Sequence, residues 1–297
     1  MTETDFTQRF IFDNHDARGE LATLEQSYAH VLAKHDYPQP VRILLGELMA
    51  AAALLVGSLK FDGLLTLQVR GEGPLSLLMV ECSSEREIRG LAHYDAQRIA
   101  DDAGLQDLMP AGVLAMTVDP ARGQRYQGLV ALDGNSLADC LNGYFASSEQ
   151  LESRFILHAD GRRARGFLLQ QLPVERVAQG EPRAASWQHL TTLAQTLSAE
   201  ELLGLDNATV LHRLYHEEEV RLFDAQAVEF GCSCSRERSQ KALLSLGEQD
   251  VLALLEEQNG RIEMDCQFCN ERYQFAAEDI RRLFGLDHSN DGISTVH

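Results

Sequence analysis

Four of the six cysteines fall in the last quarter of the chain, as Cys232-Ser233-Cys234 and, after 31 residues, Cys266-Gln267-Phe268-Cys269. Four thiolates complete the tetrahedral shell of one zinc ion. The second pair has the usual knuckle spacing between two strand-like segments. The first pair is tighter, and the gap exceeds the roughly 15–20 residues of the common pattern. The segment holding them, 231–297, has few apolar residues of its own, and a structural metal is the usual remedy for so small a unit. Cys232, Cys234, Cys266 and Cys269 are therefore the candidate ligands of one zinc ion per chain. Four cysteine ligands leave no open position for substrate or water, which argues against catalytic zinc.

A chain of 297 residues has room for two domains, and 44% hydrophobic with 24% charged residues is ordinary for a globular protein. The net charge is −19, and residues 1–177, 178–230 and 231–297 carry −8, −6 and −5 of it. No segment offers the cationic footprint that phosphate binding requires, so no nucleic-acid partner is expected. The polar, acidic start MTETDFTQRF does not read as a signal or transit peptide. The longest apolar stretch, Val41–Leu59, contains Arg42 and Glu47. It is expected to be a buried core helix, not a membrane span. A cytoplasmic location follows as the expectation. Thiols are kept reduced there, and cysteine clusters more often mean metal or redox chemistry than structural disulfides.

Residues 1–177 alternate strand and helix signals. Leu64–Arg70 and Leu75–Cys82 flank Gly71-Glu72-Gly73-Pro74 and predict a hairpin. Ile88–Tyr94, Val113–Val118 and Tyr126–Ala131 are further strands, Ser136–Phe145 a helix, and Phe155–His158 with Gly166–Leu172 a last strand pair. Tight turns between neighbouring strands favour an antiparallel-rich α+β domain. A boundary is expected near Val177–Arg183, after which the period becomes helical. Ser186 is read as the cap of a helix with Trp187, Leu190, Leu193, Ala194 and Leu197 on its apolar face. Ser198 with Glu201 forms a capping-box pattern, and Asp206 can cap a third helix. The segment 178–230 is thus read as a helical linker. In 231–297, Ser245 and Glu248 suggest another capping box, Gly260 a helix stop, Arg261–Asp265 and Tyr273–Phe275 ribbon strands, and Glu278–Phe284 a short helix.

The chemistry of the cysteines leaves several functions open. Zinc-bound cysteines are thiolates, the species oxidants attack. Each pair can close a disulfide locally, and the small Cys-X-Cys ring should be strained and easily reduced. Zinc supplies on the order of 10–16 kcal/mol in small zinc modules, more than most domains have in total stability, so its loss should unfold the unit. One reading is therefore a redox switch. A second is a constitutive zinc-ribbon interaction module that ignores redox state. A third, an oxidoreductase using Cys266 and Cys269, needs a thioredoxin-like βαβ context that is missing around the motif.

The stretches Phe230-Gly-Cys-Ser-Cys-Ser-Arg-Glu-Arg238 and Ile262-Glu-Met-Asp-Cys-Gln-Phe-Cys-Asn270, with Tyr273 and Phe275 following, closely resemble the zinc motifs of the 33 kDa heat-shock chaperone family, the redox-regulated chaperonins. Arg18-Gly19 and Gly166-Phe-Leu-Leu-Gln-Gln-Leu-Pro173 extend the resemblance over essentially the whole chain. It implies a cytoplasmic, ATP-independent holdase that is not an enzyme and is inactive while reduced and zinc-bound. Oxidants together with unfolding conditions would form the disulfides Cys232–Cys234 and Cys266–Cys269 and release zinc. The zinc domain (231–297) and the linker (178–230) would then lose order. The N-terminal domain (1–177) would dimerise and bind unfolding client proteins, which pass later to ATP-dependent refolding chaperones.

Other features have plainer readings. Cys82, ending a strand, and Cys140, in a helix pattern, are expected to be buried and inert. His212 and His216 stand at i, i+4 without an evident third ligand. Arg162, Arg163 and Arg165 suggest a turn beside a strand. Gly71-X-Gly73 is too short for a dinucleotide loop, and no Walker motif is present.

Overall fold

A helix that is apolar on every side must be covered on every side, and the fold is arranged around one. The computed structural model describes residues 5–59, 61–148, 152–173 and 181–286. The chain begins with strands β1 (Phe6–Phe12) and β2 (Ala17–Leu24), then helix α1 (Gln26–Leu32) and the long helix α2 (Gln39–Ser58). Strands β3 (Gly63–Arg70), β4 (Leu75–Ser83) and β5 (Glu87–Tyr94), the single-turn helix α3 (Leu105–Leu108), and strands β6 (Val113–Pro120) and β7 (Tyr126–Ala131) follow. Helix α4 (Leu137–Ser148) leads to the pair β8 (Ser153–Ala159) and β9 (Ala164–Gln171). Helices α5 (Glu181–Ala194), α6 (Ala199–Gly204) and α7 (Asn207–Tyr215) precede three short strands, β10 (Val220–Leu222), β11 (Gln226–Ala227) and β12 (Glu229–Phe230).

The chain divides into two compact units, Met1–Gly231 and Cys232–His297. In the first, one sheet runs β10-β1-β2-β9-β8, with β11 also on β1, and the other β12-β5-β4-β3-β6-β7. Helix α2 packs against strands of both sheets. Leu48 through Gly57 are all buried, which explains why so apolar a helix belongs to a folded core. Small residues admit the close approach. A Cβ on Gly46 would lie 2.7 Å from Ala159 Cβ, and one on Gly57 would fall 1.9 Å from the Glu20 carboxylate. The architecture is α+β with mostly antiparallel pairing, and among the described residues only β12 on β5 is parallel. The other face of the β1–β2–β9 sheet, with Phe10, Phe12, Leu21, Phe167 and Leu169, forms a second core with Leu190, Leu197, Val210 and Leu214 of the helical segment.

The hairpin, the strands and the central helix lie where the periodicity placed them. Ser198 and Glu201 cap α6 reciprocally, and Asp206 caps α7 through the Thr209 amide. Several elements were not expected. Strands β1 and β2 and helix α1 were not read from the sequence, nor were β10, β11 and β12, which a helical reading of 178–230 passes over. Asp5 explains part of this. Its carboxylate accepts from the amides of Glu25, Gln26 and Ser27 at 2.7, 2.8 and 2.6 Å. It caps α1 from twenty residues away, a role no local pattern signals. Ser186 does not begin a helix, since α5 already runs from Glu181. Its hydroxyl meets His15 Nδ1 at 2.5 Å, while His15 Nε2 and His189 Nε2 hold the two oxygens of Glu218 at 2.7 and 2.9 Å. Burial alone would raise the Glu218 carboxyl, but these bonds outweigh it and hold it below its ordinary value. The boundary expected near Val177–Arg183 lies mostly outside the described residues, as does the tail after His288.

The basic cluster does form a turn. Asp160 Oδ1 accepts from the amides of Arg162 and Arg163 around Gly161 (φ 87°). Arg163 and Arg165 then donate to the carbonyls of Leu203 and Leu202 at 2.8 Å each, at the C-terminal end of α6. Cys82 and Cys140 are buried, at 0% and 2% exposure. Burial pushes the Cys82 thiol up to about 12, which keeps it protonated and unreactive at neutral pH.

Helix α2 also carries a titratable group. Burial pushes the Glu47 carboxyl up from 4.5 to about 7. The native state thus holds a proton that the unfolded chain has released. This group's contribution is most favourable below about pH 4.5 and is lost as the pH rises through 7. Glu47→Gln is expected to raise stability at pH 8 by about 2 kcal/mol and to flatten the decline between pH 5 and pH 8, as measured by urea denaturation at the two values.

Candidate metal centre

The unit Cys232–His297 is built from helices α8 (Arg236–Leu246) and α9 (Glu248–Glu257), the ribbon β13 (Arg261–Asp265) and β14 (Arg272–Ala276), and helix α10 (Ala277–Phe284). Among the described residues its core consists of Leu243, Val251, Leu255, Ile262, Phe275 and Ile280. Helix α8 was not expected from the sequence. Ser245 lies inside it, with its hydroxyl on the Lys241 carbonyl, and Gly247 (φ 94°) stands at the start of α9. The Ser245–Glu248 capping box is therefore absent, because glycine alone easily adopts the turn that separates the two helices. Gly260 (φ 84°) follows the end of α9 as its type suggests, and its amide reaches the Leu255 carbonyl.

Each cysteine pair is held by its own local geometry. Cys232 and Cys234 lie just before α8, whose N-cap Ser235 accepts from the Arg238 amide, while Arg238 Nη1 reaches Ser233 at 2.6 Å. Cys266 and Cys269 occupy the turn of the ribbon. The Cys266 amide donates to Glu271 O at 2.9 Å and the Asn270 amide to Cys266 O at 2.8 Å, with Asn270 left-handed at φ 62°. The two-pronged pair Arg272–Asp265, at 2.8 and 3.0 Å, ties the strands together below the turn. Arg236 lies over the Phe275 ring at 4.4 Å and bonds Asp279 at 3.0 Å, which joins the start of α8 to β14 and α10.

These supports bring all four sulfurs within 4.8 Å of one another. Cys232 Sγ lies 3.7 Å from Cys266 Sγ, and Cys234 Sγ 3.4 Å from Cys269 Sγ. A tetrahedral ion with sulfur at about 2.3 Å sets its ligands about 3.8 Å apart, so the thiols fit such an ion. Among the described residues this is the one group of three or more side chains placed to hold a metal. His212 and His216 stand with ring centroids 6.1 Å apart and gather no further ligand among the described residues. Burial pushes the Cys234 and Cys269 thiols up, so a metal must displace protons to bind and its affinity must rise with pH.

Tyr273 is the site residue that residue-by-residue reading did not assign. Its hydroxyl donates to Cys234 Sγ at 3.2 Å. A donor to a thiolate fixes the ligand and tempers its charge, as partners of metal ligands commonly do. Its place two residues before buried Phe275, on the same face of the ribbon, was the available signal.

An α+β unit followed by a small module of four convergent thiols defines a protein with a small domain able to hold a metal ion through thiolates. The comparisons narrow that class. The family described as Hsp33 protein matches residues 5–276. A 33 kDa chaperonin of Pseudomonas fluorescens (strain Pf-5) is 67% identical over 98% of this chain and 98% of that protein. One from Pseudomonas aeruginosa (strain PAO1) is 63% identical over the full length of both. The crystal structure of the 33 kDa chaperonin (heat shock protein 33 homolog) from Thermotoga maritima has the same fold, with TM-score 0.76 at 23% identity over 95% of this chain and 99% of that one. The chain belongs to the Hsp33 family of chaperones.

Two substitutions separate the ligands from their support. Cobalt titrated into the reduced, metal-free protein should give one tetrahedral thiolate centre per chain, read by its charge-transfer absorption. Cys269→Ser should abolish that spectrum. Tyr273→Phe should retain it with about 10-fold weaker affinity.

Proposed function

We propose that this chain is a redox-regulated, ATP-independent holdase, inactive while reduced and zinc-bound and activated when its four cysteines are oxidised. The observation that carries the reading is the cluster of four thiols in a unit with so small an apolar core. Zinc held by Cys232, Cys234, Cys266 and Cys269 keeps the sulfurs as thiolates, open to oxidants, while making the fold of 231–297 depend on them. Oxidation withdraws two electrons for each disulfide, forms Cys232–Cys234 and Cys266–Cys269, and releases the ion. The sulfur distances permit other pairings. The local pairing is favoured because each pair lies within a single short segment.

The functional parts in this reading are an N-terminal client-binding and dimerising domain (1–177), a linker (178–230) and a zinc-bearing sensor (231–297). Helices α5, α6 and α7 are short, and such helices are marginal without a surface to rest on. Loss of order in the linker uncovers the apolar faces now buried between it and the sheet, including Phe10, Phe12 and Phe167. Such a surface suits the extended apolar segments of unfolding client proteins, and the net charge of −19 helps keep the complexes soluble. The oxidised chain acts as a homodimer in the cytoplasm and hands its clients to ATP-dependent refolding chaperones. Catalysis has no part in this reading.

The decisive assay follows light scattering from a thermally unfolding client, with reduced zinc-loaded protein beside protein oxidised by peroxide at elevated temperature. Zinc release is read in the same tubes with a chromogenic chelator. Suppression confined to the oxidised sample, with about one zinc released per chain and both local disulfides found by peptide mapping, is the expected result. Equal suppression in both states would sink the switch and leave a constitutive zinc-ribbon interaction module. Sedimentation of the oxidised form as a monomer at micromolar concentration would remove the dimer from the scheme.

A further inference from the structure

Helices α5, α6 and α7 are followed by three consecutive glutamates, Glu217, Glu218 and Glu219, and these are not equivalent. The Glu217 side chain is 83% exposed, whereas that of Glu218 is 11% exposed. A charged side chain is rarely withdrawn from water unless it is paired. Glu218 is paired from two separate elements. From the turn between β1 and β2, His15 Nε2 lies 2.7 Å from Oε2, and Asn14 Nδ2 donates to the same oxygen at 3.4 Å. From α5, His189 Nε2 lies 2.9 Å from Oε1. Ser186, one turn earlier on α5, meets His15 Nδ1 at 2.5 Å, so α5 holds the carboxylate both directly and through His15. An ionised carboxylate only accepts, so both Nε2 atoms carry a hydrogen, and Nδ1 of a neutral His15 ring then accepts from the Ser186 hydroxyl.

The topology gives this cluster leverage. His189 stands 29 residues before Glu218, so their contact closes α5, α6 and α7 into one loop. His15 fastens the ends of that loop to the turn of the β1–β2 hairpin. Beside it the Asp13 amide donates to Glu219 O at 2.9 Å and Arg221 bonds Asp13 Oδ1 at 2.6 Å, before β10 joins β1. Apolar burial holds the middle of the loop, where Leu190, Val210 and Leu214 rest on Phe10 and Phe12. That burial is non-directional, and helices this short are marginal without further support. The bonds of Glu218 are where the first and last parts of the loop meet. The apolar cluster around α2 is separate from the one under the loop.

We propose that Glu218 is the latch of an autoinhibitory strap. Its carboxylate holds residues 181–222 over the apolar face of the first sheet. Breaking its bonds to His15 and His189 frees that segment while α2 and the second sheet stay folded. The consequence for activity rests on the holdase reading, since the freed segment is the one that covers Phe10, Phe12 and Phe167. The latch itself is a property of the reduced, folded chain.

The test follows hydrogen exchange by mass spectrometry in the intact, reduced, zinc-loaded protein. Glu218→Gln keeps the shape of the side chain but removes its charge and one of its two acceptors. Amides of α5, α6 and α7 should then exchange at least about tenfold faster, while those of α2, β3 and β4 keep their rates. His189→Gln, at a half-exposed site, should give part of the same effect without disturbing the core. Glu217→Gln removes the same charge from the exposed neighbour and should change nothing. Light scattering from an unfolding client is read on the same samples. Unaltered rates in α5, α6 and α7 for both Glu218→Gln and His189→Gln overturn the proposal. An equal effect from Glu217→Gln overturns it too, because bulk charge would then be the cause. Faster exchange spread evenly over α2 and β3 also overturns it, since the carboxylate would then support the whole unit. Opening of the three helices in reduced Glu218→Gln without suppression of scattering leaves the latch standing and removes the covered face from the holdase reading, so the two failures are told apart.

Discussion

Burial of α2 between two sheets is the constraint on which the first unit depends. An uninterrupted buried run from Leu48 to Gly57 cannot face water on any side, so strands must pack on both flanks. The sheets are formed from segments far apart in sequence, with β2 beside β9 and β12 beside β5. Close packing then governs details at the helix surface. Gly46 and Gly57 are retained within a helix because neighbouring side chains occupy the space a Cβ would take. The same packing leaves Glu47 with a raised carboxyl value and places Glu20 against the end of the helix. Part of the stability of this unit and of its pH dependence therefore originates from one element.

The second unit works on the opposite principle. Its apolar core is small, and its other organising feature is four sulfurs drawn together by a helix start and a ribbon turn. Stability that rests on a metal can be withdrawn by chemistry, whereas stability that rests on apolar burial cannot. In the proposed reading, an Hsp33 chaperone that joins the two kinds of unit has one part suited to persist under oxidative stress and one suited to give way. The buried thiols of Cys82 and Cys140 agree with this division, since neither is available to compete with the four convergent cysteines.

Legibility of the sequence followed the range of the interaction. The hairpin of β3 and β4 rests on alternating side chains and a four-residue turn, all local, and the periodicity placed it correctly. The four cysteines were legible because metal chemistry admits few residue types. The caps at Ser198 and Asp206 use residues three positions apart, and both stand as expected. Strands β1 and β2 were missed, since β1 is framed by distant partners, β10 and β11 among them. Ser186 and Ser245 have the composition of caps but lie inside helices, where one serves a tertiary contact and the other bonds its own helix.

By itself, then, the sequence determined the α+β character, the central helix and the grouping of four cysteines that could hold a metal ion, because each follows from local periodicity or from residue chemistry with few alternatives. The tertiary structure decided the rest. It set Asp5 on the amides of α1, Tyr273 on Cys234, two histidines on Glu218 and three arginines around Glu20. In each case the partners approach only after sheets and helices have packed. Hydrogen bonds and charges act over a few ångströms in space, and spacing along the chain carries no record of that closeness.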